Sequence, residues 1–218
     1  MSVAGRLVVI AGATSPSGFA AARALVDAGA RVIAVGRDSG RLASMPDGVV
    51  TEVCDLTDEA AVFALADKVR DSAGRPDAVF HLVGGWRGGG GLAGQTDEDF
   101  RFLEQSLTAL RHITRAFYDD LIASEAGRLA VVSSTAVGRP LAGGANYAAV
   151  KAATEAWSRA VAQGFAKDAR DAGRELAAAS VIFRVKSLAG LEEDLATRFV
   201  GLWDAPAQQF NDTMIELT

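Results

Sequence analysis

The chain has 218 residues, half of them hydrophobic, and a formal net charge of −5. This length and composition suit a single domain with a full hydrophobic core, and the acidic balance argues against nucleic acid or an anionic membrane as a partner. Cys54 is the one cysteine, so an intrachain disulfide is excluded and a reducing, cytoplasmic location fits. With only two histidines beside it, a His/Cys metal site is not expected.

The first predicted element is a short apolar strand at residues 7–11, which ends at Gly12. This run is too short for the apolar core of a secretory signal. No later stretch approaches the roughly 20 apolar residues that span a bilayer. We therefore expect no membrane role.

Short apolar runs alternate with longer helical patterns along the whole chain. Predicted strands cover residues 7–11, 31–35, 49–53, 78–83, 128–133 and 178–185, with 213–217 as a candidate last strand. Predicted helices cover residues 18–28, 59–73, 97–124 (as one helix or two), 147–172 and 191–202. Apolar strands alternating with helices indicate a parallel sheet, and right-handed crossovers wind it doubly. The sequence therefore predicts an α/β fold: one doubly wound, Rossmann-type domain over residues 1–218, with about seven strands and helices on both faces.

The turn after the first strand carries glycine and hydroxyl residues from Gly12 to Gly18. Gly12 permits a tight turn, Gly18 permits close packing, and the helix N-terminus favours an anionic pyrophosphate. Thr14, Ser15 and Ser17 add hydroxyl donors. The segment therefore predicts a dinucleotide-binding turn, although an ordinary strand–helix turn is the alternative. A second glycine-rich segment, residues 84–91, is expected to form a mobile loop where such folds bind ligands.

The end of the second strand bears on the choice of cofactor. An acidic residue there binds the ribose hydroxyls of NAD, whereas an arginine accommodates the 2′-phosphate of NADP. Gly36 leaves the strand end without an acid and Arg37 supplies the cation, so NADP is favoured. Asp38 keeps NAD open, and a solvated surface position is the alternative role for Arg37.

Tyr147 and Lys151 stand four residues apart at the start of a predicted helix. Positions i and i+4 share a helix face, so the phenol and the ammonium can share a site. A nearby ammonium lowers the pKa of a phenol, which is about 10 when unperturbed, and so suits it to acid–base catalysis. Ser134, at the end of the fifth predicted strand, precedes Tyr147 by 13 positions.

Together these features resemble the short-chain dehydrogenase/reductase family over nearly the whole chain. The resemblance implies that Ser134 polarises a carbonyl and that Tyr147 donates the proton. It also implies that Lys151 lowers the pKa of Tyr147 and binds the nicotinamide ribose. The family's catalytic helix asparagine corresponds to Ser106. The resemblance therefore makes Ser106 a candidate catalytic residue, although its shorter side chain weakens a proton relay. The implied reaction is hydride transfer between NADP(H) and a small-molecule ketone or secondary alcohol.

The resemblance assigns further cofactor contacts after the third and fourth strands. Asp55 and the Leu56 backbone would contact the adenine, with a helix cap near residues 55–58 as the alternative. The family's Asn-Asn-Ala-Gly element corresponds to residues 82–85, where only the last glycine matches. Cofactor contacts are therefore expected from the backbone of Gly84 and Gly85 rather than from asparagine side chains.

Other segments depart from the family pattern. Ala11 and Pro16 replace a threonine and a glycine of the glycine turn. After the sixth strand there is no Pro-Gly and almost no substrate-covering lid. The missing lid predicts an open site, a bulky or carrier-borne substrate, or a weakened enzyme. Arg184 and Lys186 are expected either to meet an anionic substrate or to be solvated.

Two questions concern partners and activity. Small residues along the helix of Tyr147, with Trp157 and Phe165 as larger anchors, suit packing against another helix. Because related proteins pair this helix across a two-fold axis, the resemblance implies a homodimer or homotetramer; packing within the chain is the alternative.

The leading hypothesis is an NADP-dependent carbonyl reductase. The rival, suggested by Pro16, Ser106 and the missing lid, is a dinucleotide-binding regulatory or interaction protein with weak or no catalysis.

Overall fold

Seven parallel strands form one sheet in the computed structural model, which describes residues 2–218. The strands are β1 Leu7–Ala11, β2 Arg31–Gly36, β3 Val49–Val53, β4 Ala78–His81, β5 Arg128–Ser134, β6 Ala179–Val185 and β7 Thr213–Leu217. Their spatial order is β3-β2-β1-β4-β5-β6-β7, so the direction of winding reverses between β1 and β4. This is the doubly wound arrangement that the sequence predicts, and folds of this kind bind ligands at such a switch point.

Helices cover both faces of the sheet. They are α1 Pro16–Asp27, α2 Ser39–Leu42, α3 Glu59–Ala73, α4 Asp97–Ala123, α5 Ala145–Asp171 and α6 Glu192–Val200. Helices α1 and α6 pack on one face, where the rings of Phe80 and Phe199 stack with centroids 4.0 Å apart. Helices α3, α4 and α5 pack on the other face. No helix within residues 2–218 combines the length and apolar character needed to cross a bilayer.

Several elements differ from the sequence-based prediction. Helix α1 begins two residues early because the Ser15 hydroxyl accepts the Gly18 N–H at 3.1 Å and Pro16 fits the first helical turn. Strand β4 ends at His81 because its partner β1 ends at Ala11. The short helix α2 was not predicted, since four residues show no periodicity. The long segment before β5 is one helix, α4, rather than two.

One expected anchor for a second copy of the chain lies in the core instead. Phe165 is fully buried, and its ring stacks on that of Tyr118 in α4 with centroids 5.4 Å apart. Phe165 therefore joins α5 to α4 within one chain, and the prediction that it anchors another subunit is wrong. Trp157 remains partly exposed on the outer surface of α5.

Candidate active site

Two adjoining cavities open at the carboxyl ends of the strands, with volumes of about 1040 Å³ and 260 Å³. Ser15 and residues 82–84 line both, so the cavities form one groove across the switch point. Most of the site residues predicted from the sequence line this groove. The larger cavity contains Ser15, Ser17, Gly84, Gly85, Ser134, Tyr147 and Lys151, and the smaller contains Gly12, Thr14, Arg37, Asp55 and Leu56.

The glycine turn is shaped by close backbone contacts. Gly12 has φ +83°, and a Cβ there would lie 2.7 Å from the Val83 nitrogen. A Cβ on Gly18 would lie 2.1 Å from the Ala13 carbonyl oxygen, so only glycine fits. Gly18 supports the turn sterically and lines neither cavity. The open space above the turn is therefore bounded by backbone, as a cradle for phosphate requires.

The smaller cavity contains two arginines, of which the sequence indicated only one. Arg37 and Arg41 both line it. Asp38 caps α2, because its carboxylate accepts the Arg41 N–H at 3.0 Å. The Asp55 carboxylate accepts both the N–H and the hydroxyl of Thr57, at 2.9 and 2.8 Å, and these bonds, together with the Arg37 charge, lower its pKa. Arg41 was missed because no sequence pattern indicated the short helix that carries it.

Ser134 and Tyr147 meet on the floor of the larger cavity. The Ser134 hydroxyl accepts the Ala136 N–H at 3.1 Å where β5 ends. Burial raises the pKa of the Tyr147 phenol above its ordinary value of 10, and the neighbouring Ser134 hydroxyl partly opposes that rise. The net direction is opposite to the sequence-based expectation of a pKa lowered by Lys151. Burial outweighs every favourable contact, so the phenol holds its proton at neutral pH.

Lys151 points to the sheet rather than directly at the phenol. Its Nζ donates to the Val132 carbonyl at 2.8 Å and lies 5.8 Å from the centroid of the Tyr147 ring. The side chain is only 8% exposed. Burial lowers the pKa of Lys151 to about 8, while the charge of Glu155 opposes the fall.

Ser106 does not join this group. It is buried, its hydroxyl donates to the Leu103 carbonyl of its own helix at 2.8 Å, and it lines neither cavity. The Ser106 carbonyl in turn accepts from His81 Nε2 at 3.1 Å. His81 is 3% exposed, and burial, followed by the Lys151 charge, lowers its pKa to about 3. The expectation that Ser106 contributes a catalytic side chain is therefore not met, since its hydroxyl is already bonded.

Gln95 holds the glycine loop, residues 84–91, in place. The Gln95 amide donates to the carbonyls of Gly89, Gly91 and Gly143 at 3.1–3.3 Å. Its carbonyl accepts the Asn146 N–H at 3.1 Å. The loop is thereby tied to the start of α5, one residue before Tyr147, and it forms a wall of the larger cavity. No sequence signal marks a residue whose partners are backbone atoms of distant segments.

The segment after β6 is as short as predicted, with six residues between Val185 and Glu192. Lys186 is exposed and lines the larger cavity. Arg184 differs from Lys186, because its guanidinium forms a largely buried salt bridge to both carboxylate oxygens of Glu155, at 2.8–2.9 Å. Both roles expected for Arg184, substrate contact and solvated strand end, are wrong. Within residues 2–218 no cluster of three metal-ligating side chains occurs.

Comparisons with known proteins agree with the fold. A family model described as short chain dehydrogenase matches residues 6–169. The chain is 25% identical over 167 residues to 3-oxoacyl-(acyl-carrier-protein) reductase FabG of Salmonella typhimurium, covering 75% of this chain and 68% of that protein. The chain therefore belongs to the short-chain dehydrogenase/reductase family, which comprises oxidoreductases that bind NAD(P).

Two solved structures share the architecture at low identity. A short-chain type dehydrogenase/reductase from Mycobacterium ulcerans has a TM-score of 0.85 at 19% identity, covering 100% of this chain and 90% of that chain. An NADPH-bound short chain oxidoreductase from Pseudomonas aeruginosa PAO1, which contains an atypical catalytic center, has a TM-score of 0.82 at 20% identity, covering 97% and 95%. At these identities the likeness establishes the fold.

Proposed function

We propose that this protein is an NADP(H)-dependent carbonyl reductase that oxidises the corresponding alcohol in reverse. The observation that carries the proposal is the convergence of Ser134, Tyr147 and Lys151 in a cavity of about 1040 Å³ that adjoins an arginine-lined recess. When bound, NADPH supplies the hydride for the carbonyl carbon. The side chains of this chain handle the oxygen and its proton.

The groove fits a dinucleotide phosphate. The glycine turn brings backbone close to the N-terminus of α1, where an anionic pyrophosphate is favoured. Arg37 and Arg41 would hold a 2′-phosphate in the smaller cavity. Asp38 offers little to the ribose hydroxyls of NAD, because its carboxylate already caps α2. These contacts favour NADP over NAD.

The protonation states of Tyr147 and Lys151 in the larger cavity determine how a proton can reach the carbonyl oxygen. The buried Tyr147 phenol holds its proton and can donate it to the carbonyl oxygen as the carbon accepts hydride. The Ser134 hydroxyl donates a hydrogen bond to the same oxygen as negative charge develops. The resulting Tyr147 phenolate is stabilised by the nearby Lys151 ammonium and regains a proton from solvent. The raised pKa of Tyr147 suits reduction at neutral pH, whereas oxidation needs the phenolate and is favoured at higher pH.

The chain's second tyrosine supplies a matched control for this mechanism. Tyr118 donates to Asp168 at 2.7 Å and lines neither cavity. We expect Y147F to lower kcat for NADPH oxidation on a ketone and 3-oxoacyl thioester panel by about 10²–10⁴-fold, the usual contribution of a general acid. Y118F should retain turnover, and NADPH binding, followed by nicotinamide fluorescence, should survive in both variants. Full turnover by Y147F would refute the mechanism.

A second candidate function is a dinucleotide-binding protein without robust catalysis. It is favoured by Ser106, whose hydroxyl is bonded within α4 and offers no relay to the cavity. The two candidates differ in one measurement. NADPH binding without oxidation across the whole carbonyl panel would support the binding protein and exclude the reductase.

The substrate is a bulky or carrier-borne carbonyl compound. The larger cavity carries exposed apolar side chains at its wall, with Trp86 61% and Leu141 72% exposed. The matched FabG protein is named for a substrate borne on a carrier. Turnover on long 3-oxoacyl thioesters that exceeds turnover on small ketones would support this choice; the reverse order would exclude it.

The protein is at least a homodimer, formed through the outer surfaces of α4 and α5. Between α3, α4 and α5 lies a recess of about 450 Å³, which is lined by Phe63 of α3 and by Trp157 and Ala160 of α5, among others. Exposed aromatic side chains beside small residues suit close contact with a second copy. Light scattering should give twice or four times the chain mass of 22.6 kDa. A monomer at micromolar concentration would refute the proposed dimer.

A further inference from the structure

A buried charged cluster lies one helical turn beyond Lys151 on α5. Its centre is Glu155, which is 6% exposed and lines neither cavity. The Glu155 carboxylate accepts from the Ser133 hydroxyl at 2.7 Å and from the Arg184 guanidinium at 2.8–3.2 Å. Ser133 and Arg184 are register partners on β5 and β6, so the sheet holds both donors in place.

A contribution to fold stability does not by itself explain why a buried ion pair occupies this position. Removing two charges from water costs several kcal/mol per ion, and a packed apolar pair commonly stabilises a fold as well. Lys151 provides a reason for a carboxylate here. The only acceptor of its ammonium within residues 2–218 is the Val132 carbonyl, although an ammonium carries three donors. A buried ammonium in such surroundings tends to lose its proton.

Several other ionisable groups lie near Lys151 or line its cavity. His81 at the end of β4 is neutral at pH 7, since burial lowers its pKa to about 3. Tyr147 precedes Lys151 on α5 and holds its proton. Arg139 after β5, Lys186 after β6 and Glu192 at the start of α6 line the same cavity, and Arg184 on β6 is bonded to Glu155. Glu155 lies four residues after Lys151 on the same face of α5, and both residues are buried. Its negative charge therefore raises the pKa of Lys151 against the effect of burial.

We propose that Glu155 is a positioning residue whose carboxylate, fixed by Ser133 and Arg184, keeps the Lys151 ammonium protonated at neutral pH. Its importance for turnover rests on the proposed function, because a protonated Lys151 is what stabilises the Tyr147 phenolate. The charge effect itself is a property of the protein alone. It can therefore be measured without substrate or cofactor.

The test is an NMR titration of lysine side chains. The chain has four lysines, and the Lys151 signal is identified by its absence in K151M. E155Q keeps the shape of the side chain but removes its charge, and it should lower the titration midpoint of Lys151 by about one pH unit, a tenfold change in ionisation constant. R184K disturbs the same cluster but keeps both charges, and it should leave the midpoint near that of the unmodified protein. An unchanged midpoint in E155Q overturns the proposal, as does an equal shift in both variants, which would indicate displacement of Lys151.

A second measurement covers the case in which E155Q fails to fold. In unmodified protein labelled at the glutamate carboxyl carbons, the Glu155 signal, assigned by its loss in E155D, should move with the same midpoint as Lys151. If the chemical shift of the Glu155 carboxyl carbon does not change as Lys151 titrates, the proposal is overturned. Neither titration depends on catalysis. Full turnover by Y147F would refute the reductase mechanism and leave both results as they stand.

Discussion

Replacement of Arg37 and Arg41 should weaken the binding of NADPH much more than the binding of NADH. Both guanidinium groups line the smaller cavity, and both residues are exposed. A charged hydrogen bond contributes about 1.5–3 kcal/mol when shielded, and exposed ion pairs contribute about 0–1 kcal/mol. For a partly screened contact with a 2′-phosphate we take about 1.4 kcal/mol per arginine, which is tenfold in Kd. R37A and R41A should each weaken NADPH binding about tenfold, and the double variant about a hundredfold.

The ratio of the NADPH and NADH dissociation constants, measured by fluorescence titration at fixed ionic strength, isolates the phosphate contribution. Binding of NADH should change less than about threefold in these variants, because the rest of the dinucleotide is the same. D38N is the matched control, since asparagine also caps helices and can keep the bond to the Arg41 N–H. An unchanged ratio in the double variant would refute the role of the arginines. A loss of NADH affinity in D38N would instead indicate that Asp38 binds the ribose of NAD.

Two further predictions concern the loop and the acid stability of the fold. Q95A removes the amide that ties the glycine loop to Gly143. The KM for a carbonyl substrate should therefore rise about three- to tenfold, while the Kd for NADPH should stay within about twofold. Equal changes in KM and Kd would contradict the view that the loop shapes the substrate site rather than the cofactor site. Burial lowers the pKa of His81 from 6.5 to about 3, so below pH 6.5 the unfolded chain binds a proton that the folded chain does not. Stability present above pH 6.5 is therefore lost as pH falls toward 3, by about 2 kcal/mol at pH 5 from this site. Urea unfolding of H81Q, whose amide can still donate to the Ser106 carbonyl, should lack that loss, and an unchanged pH dependence in H81Q would contradict it.

Local patterns in the sequence predicted most of the fold. The inner strands are buried on both faces, so they are continuous apolar runs, which the sequence makes visible. The helices between them imply a parallel, doubly wound sheet. Boundaries were harder to predict because they depend on caps and on where a partner strand ends. Helix α1 begins earlier than predicted because Ser15 caps it, and β4 is shorter than predicted because its partner β1 ends at Ala11.

By itself the sequence determined the residues whose spacing is local: the glycine turn, and the pair of Tyr147 and Lys151 on one helix. It could not determine the surroundings that set their chemistry. Whether the pKa of Tyr147 rises or falls depends on its burial and on the distance to a charge, and both come from packing. Glu155 and Arg184 are 29 positions apart and meet only because α5 crosses β6. Tertiary structure decided these points because electrostatic and steric effects act through space, whereas the sequence specifies only the distance along the chain.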